Sequence, residues 1–176
     1  MVNVDKIQLA WKIASEYHGK QRYGKQPYLL HLVNVFTEIN NLSYFVDKED
    51  CLITSILHDV LEDTKIPLEV IQTNFGANVL SAVISLTKND KQRKELQMIE
   101  SLMAIKRRPN WVSLVKLADR ISNLSHPNKW DVYKRDLYLR ESELILKELG
   151  VASPYFASRL QIKIDEYEKQ TKELSK

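Results

Sequence analysis

Residues 51–64, CLITSILHDVLEDT, read as a single helix with a divided circumference. At about 100° per residue, with His58 at zero, Glu62 falls near about 40°, Asp59 near about 100° and Asp63 near about 140°. The four ionisable groups therefore share one sector, and Leu52, Ile53, Ile56, Leu57, Val60 and Leu61 take the remainder. The ordinary meaning of such a pattern is an amphipathic helix with a solvated acidic face. Two details favour a metal site instead. One turn earlier the same sector holds Cys51 and Ser55, with Thr54 at its margin, small residues suited to close packing. Three carboxylates on adjacent turns also repel one another unless a cation neutralises them.

The sequence on either side of this stretch is helical in its periodicity, and no strand is predicted. Helix one is expected over Val4 to Tyr17, with Ile7, Ala10, Trp11 and Ala14 on one face. A basic loop, HGKQRYGKQ, follows. Pro27 suits the first turn of a second helix running to Asn41, and Asp47 is placed to cap the third. Pro67 opens a short fourth helix that Gly76 ends or turns, and a fifth covers Ala77 to Thr87. The charged segment KNDKQRKEL reads as an exposed loop or a helix start, before a sixth helix that ends near Arg108. WVSLVKLADRISNL is the seventh, Asp131 to Leu149 the eighth, and the last begins after Pro154. The expectation is an all-α bundle of about eight to nine helices, one domain over residues 1–176, without repeats or a linker.

Bulk properties narrow the function classes. A 176-residue chain with 44% hydrophobic and 28% charged residues buries a core without staples and stays soluble. Its net charge of +3 is too mild for a duplex nucleic-acid binder but fits a small polyanionic ligand. The lone cysteine, Cys51, excludes a disulfide framework and points to the cytoplasm. The N-terminus has no secretory pattern, and charges interrupt every apolar run short of membrane-spanning length. Self-association into a homo-oligomer is left open.

Two further residues matter in combination. His31, in PYLLHLVNVF, would by itself be a satisfied core histidine. Asp119, in LVKLADRISNL, lies with Lys116, Arg120 and Asn123 opposite an apolar stripe of Leu114, Leu117, Ala118, Ile121 and Leu124, which alone would be a surface salt-bridge face. Taken jointly with His58 and Asp59, they supply two imidazoles and two carboxylates, a set suited to Mn²⁺ or Fe²⁺. Zinc with four protein ligands would be saturated and structural, whereas an octahedral ion keeps room for water and a substrate oxygen.

The ordered set of His31, HDVLEDT (58–64) and KLADRISNL (116–124) resembles the HD hydrolase domain of the bacterial Rel/Spo alarmone enzymes and their short metazoan counterparts. RYGKQPYLLH resembles that family's R-x-x-G-x-P-Y-x-x-H run with one glycine shifted, and NFGANVLSAVISLTK is similar to its FG…V…LTK segment. The resemblance spans Ile7 to Tyr138, and the chain is too short for the synthetase and regulatory domains of the long enzymes. The resemblance implies that His31, His58, Asp59 and Asp119 hold one Mn²⁺ and that Glu62 and Asp63 position and activate the attacking water. It likewise implies Arg22 near the guanine and the metal, Asn123 near the nucleoside, and Lys134 and Tyr138 as phosphate contacts. Lys25 and Lys116, with Lys91 as a further candidate, are the basic residues expected to neutralise the substrate.

The activity so implied is removal of the 3′-pyrophosphate from guanosine tetra- or pentaphosphate (ppGpp, pppGpp). Tyr23 stands where a lysine is common, Gly24 where a serine often helps read guanine, Leu32 where proline is usual, and His126 where Thr or Asp is more usual near the base. The departures at Tyr23, Gly24 and His126 keep other substrates open: an adenosine alarmone, a deoxynucleotide or NADPH. A non-catalytic nucleotide-binding regulator is a rival from another class, disfavoured because both Glu62 and Asp63 are retained.

Overall fold

Helix-forming residues and few chain breakers produce nine α-helices among the described residues, 2–88, 91–125 and 132–173 of a computed structural model. In chain order these are α1 (Val4–His18), α2 (Leu29–Asn40), α3 (Lys48–Leu57), α4 (Val60–Asp63), α5 (Leu68–Leu86), α6 (Lys94–Lys106), α7 (Asn110–Leu124), α8 (Val132–Leu149) and α9 (Pro154–Glu173). A 3₁₀ turn, Gly150–Ala152, joins the last two. The all-α expectation is met. No helix among the described residues is long and apolar enough to cross a membrane. The expected start of α8 at Asp131, and His126, lie outside the described residues.

Two apolar cores share α2 and α3. One contains Ala10, Ala14, Leu32, Ile53, Ile56, Leu57, Ile71 and Val83 and draws on α1, α2, α3 and α5. The other contains Val35, Ile39, Leu52, Val115, Ile121, Ile145, Leu149, Phe156 and Leu160 and extends through α7, α8 and α9. Every residue from Cys51 to Leu57 is buried, because α3 is wedged between the two cores and has no solvent face over that stretch. The interior is close-packed, so the ends of α2, α3 and α7 are held rigidly relative to one another.

Four local expectations are corrected. A two-stranded antiparallel hairpin, β1 (Arg22–Tyr23) and β2 (Gln26–Pro27), is present where no strand was predicted. Gly24, with φ of 58°, supplies the left-handed step that a two-residue hairpin turn requires. Pro27 consequently lies in β2 rather than in the first turn of α2. Asp47 occupies the N-cap position of α3, but its side chain makes no capping hydrogen bond. The helix expected over 51–64 is interrupted at His58 and Asp59. There His58 Nδ1 bonds the Ser55 carbonyl at 2.9 Å, the acceptor that a continuing helix would offer to Asp59 N–H.

Gly76 was expected to end or turn a helix, and it does: α5 consists of two helical stretches meeting at Gly76, whose φ is 87° and ψ 176°. That backbone region is essentially reserved to glycine. A Cβ added at Gly76 meets nothing within 4 Å, so the penalty for a side chain is purely conformational. Gly76→Ala should therefore destabilise the protein by about 1–3 kcal/mol with an unchanged denaturant m-value, read from urea unfolding.

Candidate functional site

The interruption after α3 turns His58 and Asp59 toward the N-terminal turn of α2 and the middle of α7. His31 arrives from the first turn of α2, Asp119 from the third turn of α7. One donor atom from each of His31, His58, Asp59 and Asp119 lies within 4.8 Å of all the others, a group that could hold a metal ion. His58 Nε2 is 2.9 Å from Asp59 Oδ2 and 3.8 Å from Asp119 Oδ1. His31 Nε2 is 3.3 Å from His58 Nε2, 3.4 Å from Asp119 Oδ1 and 3.6 Å from Asp59 Oδ2. Both histidines are only 2% exposed.

The donor set fits a divalent cation. His58 Nδ1–H donates to the Ser55 carbonyl, which leaves Nε2 as the lone-pair nitrogen facing the cluster. His31 Nδ1 is 3.1 Å from Ser122 Oγ, so its Nε2 also faces inward. Without a metal, charge within the cluster is balanced by protons. Burial alone would push the His58 imidazole down, but Asp59 and Asp119 outweigh it and raise it to about 10. His31 is raised in the same way, burial opposing and its bonds to Asp119 and Asp59 prevailing. Burial would raise both carboxyls. Instead Asp59 is held well below the usual range by His58 and His31, and Asp119 by Lys116 and the two imidazoles.

A cavity of about 410 Å³ lies beside this cluster, with Asp59 and Asp119 in its wall. Glu62 and Asp63, on α4, are in its wall. The Lys88 backbone N–H donates to Glu62 Oε2 at 3.0 Å. Burial raises the Glu62 carboxyl above its ordinary value, the Lys88 bond acting against it. Lys116, Asn123 and Tyr138, three of the residues expected to meet substrate, also line the cavity. Lys116 Nζ is 2.9 Å from Asp119 Oδ2, and Asn123 Nδ2 donates to Asp119 Oδ1 at 2.5 Å.

The other expected substrate residues stand elsewhere. Arg22 and Lys25 are exposed on the hairpin, where the Arg22 guanidinium donates to the Lys25 carbonyl. Lys134 is exposed on α8, and Lys91 is exposed ahead of α6; neither lines the cavity.

The polar side of α7 is no surface face. Lys116, Asp119 and Arg120 are 8%, 5% and 2% exposed. Residues of α8 cover it: the Arg120 guanidinium lies 3.9 Å from the Tyr138 ring centroid and bonds Ser142 Oγ and Glu141 Oε2 at 3.3 Å each. Four cavity residues carried no assigned role in the sequence reading: Tyr23, Tyr28, Lys88 and Arg120. The available signals were the tyrosine three places before His31, the basic residue after Asp119, and the lysine closing LTK.

Residues 10–152 match the HD domain family, four-fifths of the chain and all four clustered residues. The chain belongs to the HD domain family. This HD domain is 35% identical over 127 residues, 69% of its length, to a guanosine-3′,5′-bis(diphosphate) 3′-pyrophosphohydrolase of Aquifex aeolicus, and it spans only 18% of that protein. It is 30% identical over 152 residues to a protein of the same description from Drosophila melanogaster, covering 82% of this chain and 80% of the relative. A solved structure described as a metazoan ortholog of SpoT that hydrolyses ppGpp superposes with a TM-score of 0.79 and 26% identity, over 97% of each chain.

Because the His58 imidazole is protonated up to pH of about 10 in the metal-free protein, a cation must displace that proton to be ligated. Calorimetric titration with Mn²⁺ at pH 7 in buffers of different ionisation enthalpy should show release of at least one proton per ion. Affinity should rise with pH below about 10. Heats independent of buffer would contradict the assigned protonation.

Proposed function

We propose that residues 1–176 form one HD-type, metal-dependent 3′-pyrophosphohydrolase that converts ppGpp to GDP and pppGpp to GTP, releasing pyrophosphate. The observation that carries this reading is the meeting of His31, His58, Asp59 and Asp119 within 4.8 Å beside a cavity walled by two further carboxylates. The substrate class is supported by the similarity to the Aquifex and Drosophila pyrophosphohydrolases. A nucleotide substrate and a single buried, free cysteine fit the cytoplasm.

In this reading the four clustered residues hold one divalent ion, with Mn²⁺ as the ion. When bound, it supplies Lewis-acid polarisation of a phosphoryl oxygen and a lowered pKa for water. Glu62 and Asp63 orient the attacking water, and one of them accepts its proton as oxygen adds to the phosphorus borne by the ribose 3′ oxygen. The bond from that phosphorus to O3′ breaks, and O3′ leaves as the hydroxyl after taking a proton. Burial raises the Glu62 carboxyl, and a pKa moved toward neutrality suits it to accept that proton. Lys88, Lys116 and Arg120 in the wall offset the charge of the polyphosphate. Arg22 and Lys134 are assigned to substrate through the family resemblance alone, and Lys25 through its charge alone.

Two variants separate binding from turnover. Asp59→Ala should lose both Mn²⁺ binding and hydrolysis. Glu62→Ala should keep Mn²⁺ affinity while kcat falls by about 10²–10⁴. Near-full activity of Glu62→Ala would remove that residue from the mechanism.

Base preference is tested with purified protein and Mn²⁺ against ppGpp, an adenosine alarmone, deoxynucleotides and NADPH, reading pyrophosphate and orthophosphate separately and repeating with chelator. Pyrophosphate from ppGpp, lost on chelation, is the expected result. Orthophosphate from NADPH with ppGpp untouched would reassign the substrate.

A further inference from the structure

Carboxylates only accept hydrogen bonds, so each contact to one fixes the direction of the chain of donors behind it. Asp59 Oδ2 accepts from the Tyr28 hydroxyl. Asp63 Oδ2 accepts from Gln21 Nε2 at 2.7 Å, which turns Gln21 Oε1 toward His18 Nδ1, 2.8 Å away. Asp119 Oδ1 accepts from Asn123 Nδ2, which turns Asn123 Oδ1 toward the Tyr23 hydroxyl at 2.7 Å. Three carboxylates at the centre are thus each reached, directly or through one amide, from the short stretch between α1 and α2.

The same stretch is braced by ring contacts. The His18 ring stacks on Tyr28 with centroids 4.7 Å apart, and Tyr23 stacks on His31 at 5.2 Å. Its other residues give it no core of its own: Arg22, Gly24, Lys25, Gln26 and Pro27 are exposed, whereas Tyr28 is buried and Tyr23 partly so. The hairpin is therefore fastened to the molecule largely through the side chains that serve the centre.

We propose that His18–Tyr28 is the positioning frame of the centre, in which Tyr28 and Tyr23 set its affinity for the divalent ion and Gln21 sets the orientation of Asp63. This rests on the reading that His31, His58, Asp59 and Asp119 hold that ion. A carboxylate with an outer hydrogen-bond partner is kept in its ligating rotamer, and loss of such a partner typically costs about 10–100-fold in metal affinity. Tyr28 acts on Asp59 directly. Tyr23 acts on Asp119 by orienting the Asn123 amide. Gln21 touches no ligand, so its effect falls on turnover rather than on binding.

The test combines calorimetric Mn²⁺ affinity, melting temperature in chelator, and steady-state hydrolysis of ppGpp by the full chain. Tyr28→Phe should weaken Mn²⁺ binding by about 10–100-fold, with its melting temperature in chelator close to that of the wild type. Tyr23→Phe and Asn123→Ala should each weaken binding, and the double variant should be no weaker than Asn123→Ala alone, because both act through one path. Gln21→Ala should leave Mn²⁺ affinity and KM unchanged while kcat falls by about tenfold or more. Wild-type affinity in both tyrosine variants would overturn the proposal and leave the metal reading standing. So would a lowered melting temperature with unchanged affinity, which assigns the tyrosines to packing. A wild-type protein that takes up no Mn²⁺ would sink the metal reading and this proposal together.

Discussion

Asp119 is buried and Asp59 partly buried beside two imidazoles, and the groups around them are arranged to keep both charged. An isolated charge in an interior costs several kcal/mol even after relaxation. Here the cost is offset locally: His31 and His58 face both carboxylates, Lys116 bonds Asp119, and Tyr28 bonds Asp59. A divalent cation bound as proposed would release protons and replace one form of compensation with another at the same place. Charge thus holds the cluster together without a metal, with one donor atom from each of the four residues already within 4.8 Å of the others.

The fold serves this constraint in two ways. The two apolar cores meet along α2 and α3, so His31 on α2 and His58 at the end of α3 sit among close-packed side chains. The interruption at His58–Asp59 then separates α3 from α4 at the point where both residues meet His31 and Asp119. A histidine bonded to the carbonyl three residues back does three things with one contact: it competes with the next helical hydrogen bond, fixes its own tautomer, and turns Nε2 to the cluster. The following turn, α4, presents Glu62 and Asp63 to the cavity, and the stretch holding the hairpin reaches Asp63, Asn123 and Asp59 through Gln21, Tyr23 and Tyr28.

Most helices were legible from periodicity alone, because apolar spacing reports which face is buried. Val4–His18 and the LVKLADRISNL helix were predicted within a residue or so. The two corrections that bear most on the site share a cause. A helical wheel assigns angles and not neighbours, so it placed Glu62 and Asp63 on the same continuous helix as His58 and gave Lys116 and Arg120 a solvent face. Only packing shows that α8 covers that face and that side-chain bonds to the backbone end α3 early. The hairpin was missed because two-residue strands carry no period, leaving Gly24 as the only local sign. The four clustered residues were identified jointly and through resemblance. His31 taken singly would have remained a core histidine, and nothing in its neighbourhood of apolar residues says otherwise.

In the proposed reading α2, the break between α3 and α4, and α7 bring one divalent ion its four ligands. Anomalous diffraction from Mn²⁺-soaked crystals tests it most directly. A single strong peak is expected within bonding distance of His31 Nε2, His58 Nε2 and one oxygen each of Asp59 and Asp119, absent in Asp59→Ala crystals. A peak elsewhere, or none at saturating Mn²⁺, would contradict it.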